Sequence, residues 1–296
     1  MALIHISKGA MSADISTLGA ELQSLKCDGK EYLWQGDPAF WNGRSPVLFP
    51  ITGRVWNNIY RHGGKEYTLD IHGFARNMEF TPVECGEDSV VLGLRSTEET
   101  LESYPFPFML FITYRLTDRE LSVTWFVRNE GKDEMHFQIG AHPAFYIPDF
   151  DPNATVRGYF SFDSEETPSY LIPLEKGCVK PEETHAMVLD ENGMLPITAH
   201  TFDIDTYVMD SRRIHSCTLH SADRVPYLTV KFDMPVLALW APTNKRSDCP
   251  FVCIEPWCGS CDTVGYDGEF SGRRVMNSLA SGEFFSNTYK ICLCFR

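Results

Sequence analysis

Along most of the chain, apolar residues recur at every second position in short bursts, and each burst ends in a cluster of turn-forming residues. Residues 89–96 (SVVLGLRS), 108–116 (FMLFITYRL), 121–131 (LSVTWFVRNEG) and 135–147 (MHFQIGAHPAFYI) therefore predict successive strands. The same alternation predicts strands at 217–221, 227–233, 236–242, 251–257 and 289–296. Turn signals fall between them, at RNEGKDE, RHGGKE and SADRVP. Near the N-terminus, GAELQSLKCDGKEYLW reads as two strands joined through Asp28-Gly29, a dipeptide suited to a tight hairpin. No convincing helical spacing alternates with these strands. The pattern predicts an all-β fold, an antiparallel sandwich or barrel, in place of a parallel α/β sheet.

Residues 149–200 depart from this rhythm. Pro152, Pro168, Pro173, Pro181 and Pro196 interrupt them, and acidic pairs stand at Glu165-Glu166 and Glu182-Glu183. Apolar residues such as Leu171, Ile172 and Met187 are scattered through the stretch, so it reads as a long excursion with short strands and not as a linker. With no internal repeat evident, residues 1–296 are expected to form a single domain.

Composition narrows the class further. A chain of 296 residues buries roughly three quarters of its unfolded surface, so staples are not needed for stability. A net charge of −14 argues against nucleic-acid binding, which calls for a basic surface, but leaves room for a small anion held by local arginines. The start MALIHISKGAMSADIS lacks the basic and apolar regions of a signal peptide, and no apolar run approaches the ~18 residues of a membrane-spanning helix. Ten cysteines without an export signal suggest free thiols in a reducing cytoplasm. A monomer and a homodimer fit these numbers equally.

The candidate chemistry lies where ionisable residues interrupt apolar strands, because a buried charge is costly unless it is paired. Glu255 follows the apolar run 251–254 and precedes Pro256, which is expected to stop the ladder and leave the carboxylate at a strand end, with Gly259 completing the turn that presents it. His142 follows the small residues Gly140 and Ala141 and precedes Pro143, and an imidazole exchanges protons near neutral pH. In IHGFARN, His72 and Arg76 flank Gly73, Phe74 and Ala75; in FPITGRVWNN, Arg54 follows Gly53 and precedes Trp56. Arginine suits forked bonds to hydroxyls or anions, and tryptophan offers a flat face to a sugar ring. Each also has a plainer reading: a surface glutamate, a packed histidine, surface ion pairs, a core tryptophan.

Cysteine offers the rival chemistry. Cys258-Gly259-Ser260-Cys261 is a CxxC with Cys253 five residues upstream. A structural zinc site wants a second ligand pair, yet CLC at 292–294 has the wrong spacing and Cys249 lies in the same loop. A redox pair wants its CxxC at the start of a helix in a βαβ unit, a context this chain does not offer.

GAELQSL near the N-terminus, HGFAR (72–76), GAHPAF (140–145) and IEPW with Gly259 occur in the order seen in aldose 1-epimerases. The chain resembles that galactose mutarotase-like superfamily over essentially its whole length, and the LacX-type branch most closely. The resemblance implies a large antiparallel β-supersandwich with few short helices, an isomerase that interconverts the α and β anomers of an aldose, and no cofactor or metal. It implies Glu255 as the general base on the C1 hydroxyl and His142 as the general acid on the ring oxygen. It also implies Arg54, His72, Arg76 and an aspartate as sugar-holding residues, the aspartate being Asp205 or, in a shifted register, Asp203. Reference pKa values of about 4.3 for Glu and 6.5 for His suggest a carboxylate base and a protonated acid with little tuning.

Two alternatives remain within this resemblance. Hexose-6-phosphate 1-epimerases share an HGFAR-like motif, and Arg44, Arg54 and Arg76 would then clamp phosphate; their RGG signature reads GRSPVLFP here. A non-catalytic sugar-binding or sensing protein would keep the sandwich and the aromatic cleft.

Overall fold

Alternation in the middle of the chain builds the largest sheet. Phe108–Leu116 and Glu120–Asn129 pair antiparallel, in register from Phe108↔Asn129 to Leu116↔Leu121. Leu121, Val123, Trp125 and Val127 turn to one face and are buried, as the two-residue side-chain period requires. Each such side chain contributes about 1.5–3 kcal/mol by leaving water. Outward from this hairpin the sheet grows to nine strands, in the order Leu195–Ile197, Gly158–Phe162, Ser216–His220, Pro226–Phe232, Phe284–Leu293, Glu120–Asn129, Phe108–Leu116, Ser89–Arg95 and Thr81–Cys85.

The computed structural model describes residues 1–210, 212–243 and 246–293. The last three residues of the strand expected at 289–296 lie outside it. A second sheet of Tyr207–Met209, Val236–Trp240, Phe251–Cys258, Ile139–Ala141 and Val47–Leu48, with Ala144–Tyr146 also on Phe251–Cys258, carries the candidate site. Every ladder between described strands is antiparallel apart from isolated bridges, and one apolar cluster draws on both sheets. The α-helical content among the described residues is Glu98–Ser103, closed by a reciprocal cap between Thr97 and Thr100. The all-β antiparallel expectation with few short helices holds.

Four details differ from the sequence reading or extend it. The N-terminal hairpin Leu3–Lys8/Met11–Ser16 was not among the expected strands, although Ile4, Ile6, Met11, Ala13 and Ile15 alternate. Its neighbour Leu22–Cys27 does turn back through Asp28-Gly29 to Lys30–Glu31, with both turn residues at positive φ (48° and 78°). The stretch 135–147 is not one strand. It breaks into Met135–Phe137, Ile139–Ala141 and Ala144–Tyr146, the last two on the same neighbour with His142-Pro143 between them.

The fourth correction concerns Pro256. It does not end its strand, which runs on to Cys258, so Glu255 lies inside a strand and not at its tip. Ile254 donates its N–H to the Pro143 carbonyl across the break at 3.2 Å. Pro256, two residues on, faces the same side, where no described strand residue pairs with it, so its missing N–H leaves no ladder bond unmade. The opening that the sequence placed beyond a strand end is a gap between two neighbouring strands. Gly259 packs tightly, since a Cβ there would lie 2.4 Å from Thr52 Oγ1, and it belongs to no turn presenting Glu255.

Candidate active site

Side chains at alternate positions share a face, so Cys253, Glu255 and Trp257 project together from the central strand. Ala238 faces Glu255 from one neighbouring strand, and the other neighbour is interrupted at His142-Pro143. Glu255 and the imidazole entering through the break meet, His142 Nε2 to Glu255 Oε2, at 3.3 Å. The approach lacks the alignment of a hydrogen bond. Both carboxyl oxygens and His142 Nδ1 are buried without a hydrogen-bond partner among the described residues.

Aromatic rings fix the imidazole. Trp41 stacks on His142 at 5.0 Å between ring centres, and Trp240 and His72 stand edge-on at 5.6 and 5.5 Å. Trp257 Nε1–H donates to the Ala141 carbonyl at 3.2 Å, which ties the strand carrying Glu255 to the backbone just before His142. Gly140 permits that contact, as a Cβ there would lie 2.5 Å from Trp257.

The HGFAR segment docks by its backbone. The Phe49 carbonyl accepts N–H bonds from Phe74 and Ala75, the His72 N–H donates to Gly53 O, and Gly53 N–H donates to His72 Nδ1 at 3.1 Å. Burial holds His72 well below the usual histidine range, with the nearby His142, Arg76 and Arg54 adding to the effect. A neutral ring that accepts at Nδ1 carries its hydrogen on Nε2, so His72 offers a donor. His72 is also held at φ 65° and Asp205 at φ 153°, conformations rare for such residues.

These groups line one cleft of about 540 Å³. Arg54, His72, Arg76, His142, Asp205 and Glu255 are all on its wall. The six residues singled out from sequence are thus brought together. Asp203 is not; it is exposed and pairs with His200 Nδ1 at 2.7 Å. Arg44 is elsewhere as well, donating to the Gln23 carbonyl and Gln35 Oε1, so it joins no clamp with Arg54 and Arg76. Trp56 is off the wall, and its ring is covered by Lys176 Nζ at 4.5 Å. Reading the sequence missed Trp41, Trp240 and Trp257 as the aromatic walls, and Lys176. Trp240 ends the apolar strand Val236–Trp240 and Trp257 sits two residues from Glu255 on its face, signals that were present.

Burial moves both members of the pair, in contrast to the expectation of little tuning. It lowers His142 to about 3, with Arg76 adding to the fall, and raises Glu255 well above the carboxylate range, with Asp205 adding to the rise. Each is driven towards its neutral form, so the pair by itself keeps one proton on the carboxyl.

Cys258 and Cys261 behave as packing residues. Burial pushes Cys258 and Cys261 up to about 12 and Cys253 well above an ordinary thiol. Brief iodoacetamide treatment of the native protein at neutral pH, read by peptide mass spectrometry, is expected to label the exposed Cys85 and spare Cys253, Cys258 and Cys261. Rapid labelling of Cys258 or Cys261 would restore the thiol reading. As for metal donors, Cys253 Sγ, His142 and Glu255 have ligand atoms within 4.8 Å of one another, the one such trio among the described residues.

The fold and cleft define an antiparallel β-sandwich enclosing a carboxyl–imidazole pair between tryptophans. A sequence model of the family Aldose 1-epimerase matches residues 2–292, and the chain belongs to that family. It is 35% identical over 271 residues to "Protein LacX, plasmid" of Lactococcus lactis subsp. lactis, covering 86% of this chain and 87% of that protein. A solved galactose mutarotase-like protein from Lactobacillus casei superposes with TM-score 0.92 at 29% identity, over 99% of this chain and all of the other. A galactose mutarotase related enzyme from Lactobacillus acidophilus gives 0.89 at 27% identity, over 99% of this chain and 98% of the other. No helix among the described residues is long and apolar enough to cross a membrane.

Proposed function

We propose that this protein is an aldose 1-epimerase, an isomerase that interconverts the α and β anomers of a free aldose. The carrying observation is the 3.3 Å contact between His142 and Glu255 on the wall of a cleft that also presents Arg54, His72, Arg76 and Asp205. The hydroxyl and ring oxygens that must exchange protons are both bonded to the anomeric carbon. A base and an acid serving them must therefore act on two oxygens of one carbon, and the 3.3 Å separation of these two groups supports that role.

Glu255 takes the proton of the C1 hydroxyl while His142 gives one to the ring oxygen. The ring C–O bond breaks, the electron pair from the C1 hydroxyl forms the aldehyde, and rotation about C1–C2 exposes its other face. Closure with the proton flow reversed yields the other anomer. The working state is carboxylate and imidazolium, whereas burial favours carboxylic acid and imidazole. The two states differ only in which group holds the one proton, so moving that proton from carboxyl to imidazole interconverts them. Sugar hydroxyls, hydrogen-bonding to the pair, favour the charged state. Arg54, His72 through its Nε2–H, Arg76 and Asp205 hold the remaining hydroxyls, and the tryptophans cover the ring's apolar faces.

Polarimetry of freshly dissolved glucose, galactose and their 6-phosphates tests this reading. Acceleration by wild type and its loss in His142→Asn are expected; no acceleration of any aldose by the pure protein would sink it. The phosphates belong in the screen because Arg54, Arg76 and Lys176 line the cleft without an ion pair to any described residue. Calorimetric sugar binding with no rate effect would instead favour a sensing protein. We read residues 1–296 as one cytoplasmic domain.

A further inference from the structure

The trio of His142, Cys253 and Glu255 is built from three different donor types, all buried, with their ligand atoms within 4.8 Å of one another. Cys253 and Glu255 are fixed on one face of a central strand, two residues apart, and His142 enters through the break beside them. Neither Glu255 oxygen has a hydrogen-bond partner among the described residues, so both keep lone pairs for a cation. Zinc takes nitrogen, sulfur and oxygen ligands at about 2.0–2.3 Å in a tetrahedron, whose nitrogen–oxygen edge is then about 3.4 Å. The observed edge from His142 Nε2 to Glu255 Oε2 is 3.3 Å. His142 and Glu255 line the cleft and Cys253 is not on its wall, so a metal seated on all three engages the same two groups that a sugar in the cleft must reach.

We infer that His142, Cys253 and Glu255 form a binding site for a zinc-class divalent cation, and that the occupied site excludes sugar and stops the reaction. The metal site stands on geometry alone; the inhibition rests on the proposed epimerase reading. Metal on His142 Nε2 takes the lone pair that would carry the acid proton, and metal on the Glu255 carboxylate withdraws its charge and weakens it as a base, so neither proton transfer proceeds at its metal-free rate. The sulfur donor sets the preference for zinc and cobalt over magnesium and calcium, which take oxygen ligands.

Cobalt(II) and zinc titrations of the purified protein test the inference. Cobalt is expected to give a near-ultraviolet thiolate charge-transfer band that zinc abolishes, whereas magnesium leaves the protein unchanged. Cys253→Ser should lose that band, bind zinc at least about tenfold more weakly, and keep the metal-free activity, since the thiol touches no reacting atom. If the serine variant does not fold, Cys253→Ala and the wild-type spectrum serve in its place. Metal uptake without the band, or a band surviving in Cys253→Ser, would overturn the site. Wild-type mutarotation unchanged at saturating zinc would overturn the inhibition. A band that forms normally in a protein that accelerates no sugar would leave the site standing and remove the epimerase reading.

Discussion

Glu255→Gln is expected to lose about 10²–10⁴-fold of the rate of mutarotation, the range a positioned proton-transfer group supplies. It should also gain stability over wild type as the pH rises. The first effect follows because an amide of the same shape cannot accept the C1 hydroxyl proton. The second follows from burial. Glu255 is raised in the fold well above its value of 4.5 in the open chain, chiefly by desolvation, with the charge of Asp205 adding to it. Between those two values the unfolded chain binds fewer protons than the folded one, so the stabilisation present below 4.5 is lost as pH climbs through the folded pKa. The amide introduced by Glu255→Gln has nothing to ionise.

His142 works in the opposite direction. Lowered from 6.5 to about 3, it contributes stability that is complete above 6.5 and lost as pH falls towards 3. Groups facing it are Glu255, His72 and Arg76, and the Arg76 charge adds to the effect of burial. Wild type should thus lose stability from this pair on both sides of an interval near pH 4.5–6.5. Thermal melts of wild type, Glu255→Gln and His142→Asn across pH check both slopes. Parallel curves for wild type and Glu255→Gln above neutrality would contradict the burial argument.

Gly73→Ala should be the most damaging conservative change in the cleft's framework. Gly73 has φ 68°, and a Cβ there would lie 2.3 Å from the Phe49 carbonyl oxygen and 2.6 Å from its carbon. The left-handed conformation alone costs an alanine about 1–2 kcal/mol. The clash is with backbone that cannot yield, because the same carbonyl accepts the N–H groups of Phe74 and Ala75. A total of about 3 kcal/mol or more is expected, lowering the melting temperature by roughly 5 °C. Activity should fall as well, because His72 and Arg76 ride on the displaced segment. Gly64→Ala is the control: its φ is 74° with nothing within 4 Å of the added carbon, so only the conformational part should appear. Equal losses in the two variants would show that the contact with Phe49 does not matter.

Strands were legible because their signal is local. Leu121, Val123, Trp125 and Val127 reveal their buried face by spacing alone. The break at His142-Pro143 was not legible as a gap, since Pro143 reads as an ending whether a strand stops or resumes on the same neighbour. For the same reason Pro256 was misplaced: whether a missing N–H matters depends on what lies opposite. His142, Glu255, His72 and Arg76 stand in motifs, which record position along the chain, and Arg54 and Asp205 were implied by the resemblance, the latter with Asp203 as its alternative. Trp41 and Lys176 carry no such mark, and only folding brings them to His142 or the cleft wall. The pKa values of the pair were least legible of all, because desolvation is a property of the assembled interior.

The cleft wall has two kinds of support. Glu255 and His142 are held by the central sheet, whereas Pro173, Leu174, Lys176 and Gly177 come from the proline-broken excursion of 149–200. Gly177 rests against the side chain of Arg54, so the excursion reaches a residue proposed to hold the sugar. Recognition and chemistry can therefore be altered separately: a graft of the 173–177 segment should change which sugar enters while the rate of opening its ring is left to the sheet.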